Sequence, residues 1–253
     1  MGVDPKTIVS GPGRFPFSHD SADVLEKFKP NVVSFHFGLP EPDLVARVKN
    51  WGSKVVSSAT SVEEAWWLQE QGVDAIIAQG LEAGGHRGMF LTKNISTQVG
   101  TMALVPQIVA AVSIPVIAAG GIADAAGVSA AMRLGAIGVQ AGTAFLLCHE
   151  ATTSSVHRAA LNSPQARETA LTNIFSGRPA RGIVNRIMRE EGPMSTNVPD
   201  FPFAPAALAP LRACAEAAGN GDFSPLWAGQ NASNCKAVSA SDIVRELMAF
   251  DPL

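Results

Sequence analysis

The 253-residue sequence predicts an α/β fold, a TIM-barrel-like (β/α)8 architecture present as a partial barrel of about five parallel strands followed by C-terminal helices. Three observations predict it. Apolar strand runs alternate with helical runs at intervals of roughly 20–40 residues, the pattern of right-handed βαβ units. The strand runs are short and continuously apolar, as strands buried on both faces are. Glycine-bearing polar motifs follow several different strands. A doubly wound sheet also alternates, but it gathers its ligand at one switch point. In a barrel every such strand end lies on one face, around one site, so the barrel is favoured.

Residues 1–30 read as a polar lead-in with Pro5, Pro12, Pro16 and Pro30, carrying a short helix at about 21–28. A strand at 32–37 stops at Gly38-Leu39-Pro40, and a helix runs from Pro42 to Asn50. A second strand covers 54–59. Ser61 then opens a helix with Glu64 three residues on, the capping-box spacing, and that helix ends at Gly72. The third strand is 75–79. Beyond a glycine loop come a helix at 101–112 and a strand at 114–119 that ends in Gly120-Gly121. The helix at 125–134 stops at Gly135, which suits a C′ cap. The fifth strand, 137–140, leads into Ala141-Gly142-Thr143 and another helical start.

Residues 31–150 are therefore read as the partial barrel bearing the site loops, and 151–253 as a helical extension packed on it. The extension opens with Arg158, Arg167, Arg178, Arg181, Arg186 and Arg189, read as ion-paired surface rather than a phosphate clamp. A proline-rich crossing follows from Pro193 to Pro210, then an alanine-rich helix at 206–218 and a last helix at about 241–250. Five strands do not close an eight-stranded barrel. The open edges at 32–37 and 137–140 invite pairing with another chain or aggregation, and a homo-oligomer is one of the states open to the chain.

Hydrophobic content of 47% against 16% charged supports a sizeable core and argues against disorder. A net charge of −3 with no basic block argues against nucleic acid or an anionic membrane as partner. Cys148, Cys214 and Cys235 are odd in number and far apart, which fits reduced thiols in the cytoplasm and neither a disulfide framework nor a zinc site. The start has no apolar signal region, and the apolar runs break at Gly or Pro short of a membrane span. No clustered His, Asp or Glu set implies a metal, no paired carboxylates stand at useful spacing, and no Ser-His-Asp triad is arguable.

The richest stretch is 78–88. It places His86 among four glycines (Gly80, Gly84, Gly85 and Gly88) directly after a strand. Glycines let the backbone approach a flat or charged ligand, and an imidazole there handles protons near neutral pH. A surface turn with an incidental histidine is the plain alternative, weakened by the glycine density. Gln79 ends the strand with an amide that can donate and accept at a heterocycle edge; Glu82 can orient the loop or cap backbone groups. Gly120-Gly121 before a helix, and Gln140-Ala141-Gly142-Thr143 in the next unit, together read as a phosphate site built from backbone N–H groups and the threonine hydroxyl. The same glycines would also serve merely to close tight turns. Ser58, with Ser57 and Thr60, sits at another strand end, where cofactor contact and plain packing are equally consistent. His36 reads first as a satisfied core histidine; His149 and His157 read as helical surface residues; His19 carries no signal.

Taken together, the stretches 33–40, 57–60, 79–88, 115–122, 138–143, 175–182 and 223–230 resemble the nitronate monooxygenases, formerly called 2-nitropropane dioxygenases. The resemblance implies an FMN-binding TIM barrel that oxidises alkyl nitronates with O2 to a carbonyl compound and nitrite. It implies that His86 is the active-site histidine, that Gln79 and Gly84 contact the flavin, and that Gly121 and the residues Gln140, Ala141, Gly142 and Thr143 hold the phosphate and ribityl chain. Gly85, Gly120 and Ser58 complete the expected cofactor contacts. Members of that family open with three further βα units ahead of the 32–37 strand, so a truncated, inactive chain is one expectation. The alternatives are a flavin-dependent enoyl-acyl-carrier-protein reductase, which has a similar Glu-Ala-Gly-Gly-His loop, and a non-catalytic FMN-binding fragment.

Overall fold

The computed structural model describes residues 15–251, so Pro5 and Pro12 of the lead-in lie outside the described residues. Helix α1 (His19–Glu26) starts where the Ser18 hydroxyl accepts from Ser21 N. It is tied to α2 (Pro42–Asn50) by Arg47, which reaches Glu26 and Asp23. Five strands then build one parallel sheet: β1 (Val32–Phe35), β2 (Lys54–Ala59), β3 (Ala75–Gln79), β5 (Val116–Ala119) and β6 (Gly138–Gln140), in spatial order β1-β2-β3-β5-β6. This is the expected partial barrel. Its two open edges are β1 and β6, where Val32 is 52% and the neighbouring Ile137 62% exposed.

Helices α3 (Val62–Glu70), α4 (Thr101–Ala111) and α5 (Ala125–Arg133) join the remaining strands and, with α2, cover the sheet. Val48, Val55, Leu68, Ile76, Leu104 and Ile108 pack between the two layers and are fully buried. Burying each such side chain contributes about 1.5–3 kcal/mol. Local signals explain the boundaries. Ser61 accepts from Glu64 N at the start of α3, and Gly72 and Gly135 take φ of +78° and +97° just past α3 and α5. The reciprocal half of the capping box is absent. The Glu64 carboxylate is buried and instead accepts from Thr60 N, Thr60 Oγ1 and Phe90 N, each at 2.7 Å.

The segment read as a helical extension also contributes strands. It holds α6 (Ser155–Leu161), β7 (Thr169–Thr172), β8 (Ala180–Ile183), α7 (Arg186–Glu190), α8 (Ala204–Ala217) and α9 (Ala240–Met248). The strand β8 pairs antiparallel with β7 on one side and with the two-residue β4 (Gly85–His86) on the other. Thr-Ala-Leu-Thr and Ala-Arg-Gly-Ile lack a long apolar run, so only their partners make them strands. After Thr143–Phe145, a single 3-10 turn, the chain is not helical again until Ser155. His149 thus lies in a turn, and His157 is half-buried on α6.

The arginines divide. Arg186 and Arg189 pair with Glu190 and Glu168 as expected. Arg158 instead donates to the carbonyls of Leu147, Cys148 and Ala151, and buried Arg181 to that of Leu81. Among the described residues no helix is long and apolar enough to cross a membrane.

Candidate active site

A cavity of about 120 Å³ opens where β3, β5 and β6 end. It brings together Gln79, Gly84, Gly120, Gly121, Gln140, Ala141, Gly142 and Thr143, with Gly229 and Asn231 arriving from the C-terminal segment. No Asp, Glu, Lys or Arg lines it. An anion there is met by backbone N–H groups, amides and one hydroxyl, with no carboxylate in the lining to repel it. Small-molecule pockets run roughly 300–1,000 Å³, so this cavity suits the anionic head of a larger ligand rather than the whole of it.

Its glycines have different reasons. Gly120 has φ of +126°, and a Cβ there would stand 2.7 Å from Thr101 Oγ1. A Cβ on Gly84 would stand 2.5 Å from Gly229 N. The fold itself demands both. Gly142 is the opposite case: φ is −118°, open to any residue, and an added Cβ meets nothing within 4 Å. Glycine at 142 leaves the cavity wall open, with room for an atom from outside the chain.

Two expected donors are modified. The N-terminus of α5 is capped by its own Asp124, whose carboxylate accepts from Gly127 N at 2.8 Å, so that helix end is already committed. Thr143 Oγ1 accepts from Gly229 N at 2.9 Å and keeps its own hydrogen to donate. Glu82 does cap backbone, but on α4. There the N-cap residue Gly100 has no side chain, and Glu82 accepts from Thr101 N and, at 2.7 Å, from Thr101 Oγ1.

His86 and Gly85 stand beside the cavity rather than in its lining, held in β4. Gln79 joins the two places. It lines the cavity, while its Nε2 donates to His86 O at 2.9 Å and its Oε1 accepts from Gly88 N at 2.7 Å. Its amide is therefore first a brace for the histidine turn. The His86 Nε2 is 2.8 Å from Ser176 Oγ, which also lies 3.1 Å from Arg178 O. With the serine hydrogen donated to that carbonyl, Nε2 carries the imidazole hydrogen and donates to Ser176 Oγ. Phe37, Phe201 and Trp227 surround the imidazole at centroid distances of 5.9, 6.2 and 5.5 Å.

Ser58 is not in the cavity. It is buried, and its Oγ bonds His36 Nδ1 at 3.1 Å. The other His36 nitrogen donates to His86 O at 3.2 Å. Burial of that ring pushes its pKa below the usual histidine value, with nearby Arg87 and Arg178 acting in the same direction. Ser58 and His36 thus support the histidine turn from beneath.

Arg87 is almost wholly buried and holds the same turn. It donates to Gln79 O and Gly80 O, both at 2.7 Å, and to Gln98 Oε1 at 2.8 Å. Burial, and then repulsion from Arg181, pull its pKa down to about 10. Among the described residues no group of three or more His, Cys, Asp or Glu could hold a metal ion.

Residues 15–249 match the family profile described as nitronate monooxygenase. The chain belongs to that family. It is 45% identical over 226 residues to the nitronate monooxygenase of Pseudomonas aeruginosa, and 41% identical over 234 residues to a probable nitronate monooxygenase of Bacillus subtilis. Those alignments take in 89% and 92% of this chain but 64% and 67% of the relatives, so the chain spans about two thirds of their length. Among solved structures it superposes on a nitroalkane oxidase from Streptomyces ansochromogenes with a TM-score of 0.84 at 37% identity, covering 91% of this chain and 67% of that one. FabK from Thermotoga maritima gives 0.71 at 30% identity, covering 92% and 72%.

Within this nitronate monooxygenase family member, residue-by-residue reading overlooked Ser176, Trp227, Asn231 and Arg87 as site components. Ser176 and Trp227 lie in the 175–182 and 223–230 stretches that carry the family resemblance. Those stretches were the available signal, because both pack onto β4 and the cavity rim through β8 and the Gly182–Trp227 bridge. Asn231, whose Nδ2 donates to Gly121 O at 2.9 Å, follows immediately after them.

Proposed function

We propose that this chain binds FMN and takes part in oxidising alkyl nitronates with O2 to a carbonyl compound and nitrite. The observation that carries the reading is Gly142: a glycine that neither backbone conformation nor packing requires, in a charge-free cradle one amide away from His86. Bound FMN supplies the redox chemistry, which no protein side chain here provides. The backbone at Gly121 and Gly142, with the Thr143 hydroxyl, receives the phosphate. The Gln79 amide fixes the height of the histidine turn over that cradle. Phe37, Phe201 and Trp227 limit water around the imidazole, which strengthens electrostatic interactions there. His86 exchanges a proton with bound substrate or anchors the nitro group, with Ser176 orienting the ring.

The test uses the full chain purified and supplied with FMN. Wild type is expected to retain a yellow chromophore and to release nitrite from propane-2-nitronate as oxygen is consumed, rather than to oxidise NAD(P)H. His86→Ala should keep FMN and lose turnover. Folded protein that takes up no FMN, or a His86→Ala variant with full nitronate activity, would overturn the reading.

A further inference from the structure

Arg178 departs from the clamped and ion-paired arginines of its segment, and it is half-buried where Arg167, which also lacks both kinds of contact among the described residues, is exposed. Among the described residues it makes neither an ion pair nor a carbonyl clamp. Its guanidinium carbon stands 4.0 Å from the centroid of the Phe37 ring and 5.6 Å from that of Phe201. These are two of the three rings that surround His86. Its backbone is fixed at the same place, because Arg178 N donates to Ser176 Oγ and Arg178 O accepts from it, the hydroxyl that contacts His86 Nε2. Gly177 helps hold the Phe201 strap against this turn. Its φ is +84°, and a Cβ there would stand 2.3 Å from Phe201 N.

A half-buried cation without a counter-ion loses hydration and gains only ring contacts. Burial is the one influence on the Arg178 pKa, and it lowers it. Stacking occupies the faces of a guanidinium and leaves its N–H donors at the edge, in the plane. That edge forms a fork matching two oxygens on one planar centre. A nitronate has such a group, two oxygens on a planar nitrogen sharing one negative charge, and a carboxylate has the same shape.

We infer that Arg178, set over the Phe37 ring and within reach of Phe201, is the docking cation for a small planar oxyanion beside His86, and so the residue that selects the nitronate over its neutral nitroalkane. The inference rests on the function proposed above for the substrate named, but not for the anion site itself. Arg178 is a positioning residue; it makes and breaks no bond.

The experiment measures binding by calorimetry in the absence of oxygen, using the full chain. The two probes share their heavy atoms: propane-2-nitronate, an anion, and 2-nitropropane, its neutral form. Arg178→Gln should weaken nitronate binding about tenfold or more, the scale of one lost charge-assisted contact, and leave 2-nitropropane unchanged. Arg178→Lys should recover part of the loss. Far-UV circular dichroism should not move, because the side chain forms no hydrogen bond or ion pair among the described residues and the variant alters only its ring contacts. Equal nitronate binding by wild type and Arg178→Gln, or parallel loss of both probes, would overturn the proposal. Arg178-dependent anion binding without nitrite release under aerobic turnover would retain the docking site and overturn the reaction. Nitrite release with an unchanged KM in Arg178→Gln would do the reverse.

Discussion

Gly142→Ala separates a glycine required by a ligand from one required by the fold. At φ of −118° and ψ of −60°, alanine adopts the native backbone, and its methyl finds no protein atom within 4 Å. Folding therefore loses nothing in the native state and gains from the restricted unfolded chain, about 0.4–1 kcal/mol. For a domain of this size that is roughly 1–4 °C in melting temperature. The same methyl extends from the cavity wall towards the expected phosphate. Displacing one backbone-to-phosphate contact costs about 1.5–3 kcal/mol, or roughly ten- to hundredfold in FMN affinity. Gly120→Ala is the contrasting variant. With φ of +126° and a Cβ 2.7 Å from Thr101 Oγ1, it costs about 1–3 kcal/mol and lowers the melting temperature. Thermal unfolding followed by circular dichroism, with flavin titration by fluorescence quenching, reads both effects. A Gly142→Ala protein that melts several degrees lower, or binds FMN as tightly as wild type, would refute the assignment of this glycine.

Glu82→Gln keeps the shape of the α4 cap but removes its charge and replaces one acceptor oxygen by a donor facing Thr101. A loss of about 1–2 kcal/mol, or roughly 2–8 °C, is expected in thermal unfolding. His36 gives the pH dependence. Its folded pKa lies below the unfolded value of about 6.5, so the unfolded state binds more protons between the two. Its contribution to stability is complete above about pH 6.5 and is lost as pH falls from there towards the folded pKa. His157, also lowered by burial, acts in the same direction. The melting temperature should therefore drop between about pH 7.5 and about pH 5.5, and His36→Gln should reduce that drop without abolishing it.

The parallel sheet was legible because its information is local. The runs at 54–59 and 75–79 are centred on Val55-Val56 and Ala75-Ile76-Ile77-Ala78, α2 opens on Pro42 in its first turn, and α3 opens on the Ser61 cap. Eight of the expected cofactor residues meet at one cavity because parallel strands deliver their C-terminal ends to one face. What stayed hidden depends on partners distant in sequence. His86 becomes strand only through Ala180, and Ser58 turns from the cavity to His36, twenty-two residues away. Arg181 reads as surface from composition, yet it is buried against a carbonyl one hundred residues earlier.

The histidine turn shows why that information is non-local. The carbonyls of Gln79 and Gly80 accept from Arg87 at 2.7 Å, and that of Leu81 accepts from Arg181 at 2.9 Å. Three successive acceptors at the end of β3 are thus satisfied by two buried cations instead of by a sheet ladder or a helix. A carbonyl dipole cancels no formal charge, so both guanidiniums remain cationic behind a cavity whose lining carries no charge. Glu82 and Glu64 offset part of that positive field on Arg87, and their oxygens are already committed to backbone and threonine donors. Lysine at 87 would not reproduce the arrangement. A point charge on a flexible stem cannot bridge two adjacent carbonyls and Gln98 at once, whereas the planar fork does. The turn that presents His86 is held by directed charge–dipole contacts, which leave no period in the sequence.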